Sequence, residues 1–111
     1  RIDYVIAHQK REPHEIAAEI GTSESAYETV PMALHCFLHS PSNYEKTVIE
    51  AANLVPGDTD SIACIAGALS GTYNGLEAIP QKWRQEIEDS FWLHKLGRNL
   101  FEASHYENIN L

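Results

Sequence analysis

Residues 57–71 read GDTDSIACIAGALSG: an acidic segment, Gly57-Asp58-Thr59-Asp60-Ser61, runs directly into an apolar stretch built from small residues. Pro56-Gly57 breaks the chain just ahead of it, so the acidic segment opens a new helix, expected from about Asp58 to Thr72. Ala63, Gly67 and Gly71 stand four residues apart, and a helix stripe without bulky side chains lets a neighbouring backbone approach closely. The stretch therefore predicts the central helix of an all-α bundle. Its first turn also carries chemistry. Asp58, Asp60 and the Ser61 hydroxyl put three hard oxygen donors together, and such donors suit Mg²⁺, Mn²⁺ or Ca²⁺. A second reading needs no metal: Asp58 is a favoured N-cap, and Asp60 in the first turn offsets the helix macrodipole. Spacing alone leaves both readings open.

Outward from this helix the chain reads as helices and turns. Towards the N-terminus, Ser42-Asn43-Tyr44-Glu45 has the form of a capping box, with Val48, Ile49, Ala52 and Leu54 or Val55 as the expected buried face of the helix after it. Tyr27, Val30, Leu34, Phe37 and Leu38 keep helical spacing and predict a core helix ending near His39, with Pro31 in its first turn or kinking it. Gly21-Thr22-Ser23-Glu24-Ser25 reads as a loop. Pro13 starts a helix that Gly21 stops, and Asp3 to Lys10 forms another. Towards the C-terminus, Pro80 restarts a helix through Glu88, and Ser90 caps a last one carrying Phe91, Leu93, Leu96, Leu100 and Phe101. No period-2 run of β-branched residues predicts a strand, and no repeat is evident.

The 111 residues allow a single domain, taken as 1–111. Eight basic against sixteen acidic side chains give a net charge of −8, which excludes a nucleic-acid backbone as partner and favours cations. No apolar run is long enough to span a membrane, and no signal peptide is visible. Two cysteines, Cys36 and Cys64, both inside apolar helical patterns, fit a reduced, cytoplasmic setting rather than a disulfide scaffold. The chain opens on Arg1 without Met, which suggests a piece of something longer. His35 and His39, four apart beside Cys36, have a zinc-compatible spacing, but the general-base Glu is missing and a surface or hydrogen-bonded pair is the expected reading. Trp83, Trp92, Phe91 and Phe101 read as core or contact aromatics, because no basic residues interleave them.

From Gly21 to Leu100 the order of these pieces resembles the C-terminal part of the ADP-ribosylglycohydrolase family. The matching stretches are GTSESAYETVPMALHCFL (21–38), AANLVPGDTDSIACIAGALSGTYNG (51–75) and LEAIPQKW (76–83). The resemblance implies an all-α fold of which this chain is the C-terminal portion. It implies that Asp58, Asp60 and Ser61 are ligands to divalent cations, Mg²⁺ or Mn²⁺, with two ions in the complete site. It also places the loop Gly21-Thr22-Ser23-Glu24 beside the substrate's ribose, where backbone N–H groups meet phosphate or sugar oxygens. Two departures stand out. The loop holds one glycine and the anionic Glu24, and Pro56 replaces the usual Gly ahead of Gly57. The remaining metal ligands and the catalytic acid belong to the family's N-terminal part, so no catalytic residue is identifiable here. The implied reaction releases ADP-ribose from a modified protein side chain, with an ADP-ribosylated protein or ADP-ribose-type ligand as partner. The site would be completed by the missing N-terminal part or by self-association. A non-catalytic helical module that keeps the metal loop is the alternative.

Overall fold

A computed structural model describes residues 1–110, with side chains through residue 105. The described residues are all-α: helices α1 (Ile2–Ala7), α2 (Pro13–Ile20), α3 (Ala26–His39), α4 (Tyr44–Ala52) and α5 (Thr59–Asn74), a 3₁₀ turn (Leu76–Ala78), then α6 (Gln81–Glu86) and α7 (Ser90–Asn110). They form two compact units, Arg1–Ile79 and the segment from Pro80 onward. In the first unit α5 packs against α3 and α4, and α3 is also covered by α1 and α2. Its core is Val5, Ile16, Ile20, Met32, Ala33, Cys36, Ala51, Leu54, Ile62 and Ala66. In the second unit α6 ends at Glu86, not at Glu88, and Asp89 turns the chain with φ +58 into α7. The Ser90 hydroxyl donates back to the Arg84 carbonyl.

The small-residue stripe of α5 faces α4. A Cβ on Gly67 would stand 3.4 Å from the Tyr44 hydroxyl and 3.5 Å from Val48, and one on Gly71 3.7 Å from the Tyr44 ring. The absence of side chains on α5 thus lets α4 lie close, as the spacing predicts. Two expected faces are corrected. On α3 the buried residues are Thr29, Pro31, Met32, Ala33, His35 and Cys36, whereas Tyr27 and Val30 are exposed. Four helices cover α3, and their placement rather than residue size decides which face is buried: Met32 and His35 are fully enclosed while Val30 is exposed. On α4 the buried residues are Thr47 and Ala51, with Ile49 and Ala52 exposed, Leu54 just beyond it is buried as expected, and its cap is Asn43, whose side chain accepts from the Lys46 N–H. The first helix covers Ile2–Ala7 and stops short of Lys10.

Pro31 lies inside α3 without breaking it. Proline has no N–H for the carbonyl four residues back, which here is Tyr27. The Arg1 guanidinium donates to that carbonyl at 2.9 Å and satisfies it.

Candidate metal centre

Asp58 caps α5, and the cap reading of the sequence holds: its Oδ1 accepts the Ser61 N–H at 3.4 Å. Asp60 Oδ1 accepts the same N–H at 3.1 Å, so both carboxylates converge on Ser61. Hydrogen bonding with the Asp60 side chain, then with Ser61, holds the Asp58 carboxyl below the usual carboxylate range. Capping engages one oxygen of each carboxylate, and each has a second. The cap and ligand readings are therefore compatible. Two carboxylates and a hydroxyl form a hard donor set of the size Mg²⁺ takes from a protein while keeping several waters. Among the described residues no group of three or more His, Cys, Asp or Glu side chains is placed to hold a metal ion.

The Gly21–Ser25 loop lies directly on this segment. The Thr22 hydroxyl donates to the Pro56 carbonyl at 2.7 Å, and the Thr22 carbonyl accepts the Asp58 N–H at 2.7 Å. Gly57, between the two contacts, faces Thr22 so closely that a Cβ would come within 2.5 Å of its backbone oxygen. Only glycine fits there. The Val55–Pro56 peptide bond is cis. Thr22 and Pro56 also line a cleft of about 320 Å³ with His14, Ala17, Ala18, Asn53, Leu54 and Val55.

The loop is itself braced. Gly21 ends α2 at φ +101, a conformation that side-chain-bearing residues rarely take, and its N–H donates to Ala17. Ser23 N–H donates to the Glu28 carboxylate at 3.1 Å, and the Ser25 N–H to the Ser23 hydroxyl at 3.3 Å. These bonds occupy three backbone donors of the loop. The Ser23 N–H, then its hydroxyl, hold Glu28 below its ordinary pKa. Glu24 is exposed. Sequence reading missed Glu28, although Ser25-x-x-Glu28 is a capping-box pattern. Ser25 does cap α3 by accepting the Tyr27 N–H, but Glu28 reaches past it to Ser23.

His35 and His39 form the hydrogen-bonded pair expected of them. His35 is fully buried and its Nε2 donates to the Arg11 carbonyl at 2.8 Å, while His39 Nδ1 donates to Gln9 at 3.0 Å. Burial, with the Glu50 charge second, pushes the Cys36 thiol up to about 12, so it is no nucleophile at neutral pH. Cys64 is exposed.

The ADP-ribosylglycohydrolase family profile matches residues 1–109. The chain belongs to this family. It is 39% identical over 84 residues to mouse ADP-ribosylhydrolase ARH3, an alignment covering 67% of this chain and 22% of that protein. Human ADP-ribosylhydrolase ARH3 is 38% identical over 84 residues, covering 67% and 23%. The ADP-ribosylarginine hydrolase Tri1 of Pseudomonas putida (strain GB-1) is 32% identical over 86 residues, covering 78% and 23%. The chain thus spans about a quarter of the length of these relatives. No solved structure matches it. No helix among the described residues is long and apolar enough to cross a membrane.

Proposed function

We propose that this chain is the C-terminal, metal-bearing portion of a hydrolase that removes ADP-ribose from modified protein side chains. The bond cleaved joins the anomeric carbon of the distal ribose to the side chain. Asp58, Asp60 and Ser61 hold a divalent cation, Mg²⁺ or Mn²⁺, as two anionic ligands and one neutral one. A cation held there would supply positive charge for orienting ribose hydroxyls and for polarising a water. The Gly21–Glu24 loop presents the sugar-facing side of the site. Its bonds to Glu28 and Pro56 fix its shape. The second ion's ligands and the catalytic carboxylate come from the N-terminal part or from a second copy.

The observation that carries this reading is the meeting of two segments distant in sequence. The loop assigned to the ribose and the loop assigned to the metal are joined by a pair of 2.7 Å hydrogen bonds. Isothermal titration with Mn²⁺ tests the assignment: the chain is expected to bind weakly, and Asp58→Ala and Asp60→Ala to abolish the heat. Equal heats from all three proteins would sink it.

A further inference from the structure

We propose that Thr22 is a positioning residue for the metal loop, with its hydroxyl committed to Pro56 instead of to a ligand. The inference rests on the metal reading above only for one of its two readouts. Thr22 grips the acidic segment at two successive points: it donates to the Pro56 carbonyl and accepts from the Asp58 N–H, both at 2.7 Å. Between them Gly57 leaves no gap, since even a Cβ would stand 2.2 Å from the Thr22 Oγ1. Asp58 is therefore held from both directions, by α5 through its cap and by Thr22 through its N–H. A backbone fixed in this way fixes the direction of its carboxylate. Groups that orient metal ligands in this manner commonly change affinity by about 10–100-fold when removed.

Pro56 adds to the argument. Its carbonyl precedes Gly57, a residue with little conformational preference of its own, so the loop needs an external restraint to hold one geometry. Thr22 in turn is held by its own loop. Gly21 bonds back to α2, Ser23 to Glu28, and the Glu28 side chain packs where a Gly21 Cβ would be. The chain of contacts runs from α3 through the ribose loop to the carboxylates. Anything that moves the ribose loop moves the metal loop with it.

The test uses Thr22→Val, Thr22→Ala and Thr22→Ser in the full 111-residue chain. Each keeps the Thr22 carbonyl, so hydrogen exchange of the Asp58 amide reports whether the loop has shifted. The Val and Ala variants are expected to lose Asp58 protection at least tenfold and to weaken Mn²⁺ binding by about tenfold. Helix content should be retained, and Ser should restore both readouts to within about twofold. Ala adds no bulk, so it carries the test if Val fails to fold in the crowded space beside Gly57. Unchanged Asp58 protection in the Ala variant overturns the proposal, whether or not the chain binds Mn²⁺. Lost protection, restored by Ser, in a chain that binds no Mn²⁺ supports the positioning role and refutes the metal assignment instead.

Discussion

The histidine pair on α3 and the carboxylate pair at the start of α5 look alike as sequence, two metal-capable side chains on one helix. They end in opposite states. His35 and His39 each donate to a backbone carbonyl of the α1–α2 connection and so hold that connection to α3. Asp58 and Asp60 both accept the Ser61 N–H and bond to each other's side chain, so their hydrogen bonds stay within one helical turn and tie no other segment down. What separates the two pairs is thus where their hydrogen bonds go: the histidines tie two segments together, and the carboxylates bond within their own turn. The comparison yields a ranking of effects: the cross-linking pair should govern stability, and the carboxylate pair should govern binding.

The largest effect is expected at His35. Its ring is fully buried, and Nδ1 has no hydrogen-bond partner, so the neutral form with the proton on Nε2 is the one that fits. His35→Ala leaves a cavity and an orphaned Arg11 carbonyl, and should destabilise by about 2–4 kcal/mol in urea unfolding. Mn²⁺ titration of the still-folded fraction should match wild type. A loss of metal binding without loss of stability would break the comparison.

Next is the α4–α5 contact that carries the carboxylate pair. Gly67→Leu must force a branched side chain against Tyr44 and Val48, costing about 1–3 kcal/mol. Gly67→Ala places its Cβ at ordinary contact distance, and gains about 0.4–1 kcal/mol through the unfolded chain. Thermal melts of both variants measure the pair. If Leu is as stable as wild type, the close approach inferred from the glycine stripe is wrong.

A pH series sharpens the same contrast. Burial is the main cause that lowers the His35 pKa from its ordinary 6.5. The unfolded chain therefore takes up a proton near pH 6.5 that the folded chain refuses. Stability is full above that pH, and falls as pH drops from 6.5 towards the folded-state value, where it levels off. One such group gives a slope of at most about 1.4 kcal/mol per pH unit. His35→Gln should lose this part of the slope, as read by denaturant midpoints between pH 7 and 5. An unchanged profile would show that the ring is not held neutral.

Legibility in the sequence follows the range of the interaction. The acidic cap, the glycine stripe and the helix order were readable because each is a spacing within one helix. The faces of α3 were not: periodicity marks a stripe, but four covering helices decide which stripe is buried, and they select Thr29, Met32, Ala33 and Cys36 over Tyr27 and Val30. The Thr22 bridge spans 34 residues and leaves no periodic trace. Glu28 had a local signal, but its pattern pointed to the cap residue Ser25, and the side chain went two residues further because the Gly21 turn brings the Ser23 N–H within reach.

The smallest stability effect is expected at Asp60, and it is the sharpest test of the contrast. Asp60 is exposed, and its carboxylate accepts its neighbour's N–H and bonds with the Asp58 side chain within the same turn. Asp60→Asn keeps the shape and an acceptor oxygen, and loses a charge near a helix N-terminus worth about 0.3–1 kcal/mol. Without metal, the variant and wild type should therefore melt within a few degrees of each other. With Mn²⁺ added they should part, since a ligand that binds only the folded state adds RT ln(1 + [L]/Kd), about 2.7 kcal/mol at a hundredfold excess over Kd. Wild type should rise with each increment of Mn²⁺ and Asp60→Asn should not. Parallel rises would place the cation elsewhere on this acidic chain. A large deficit before any metal is added would put Asp60 with His35, as a residue on which the fold itself depends.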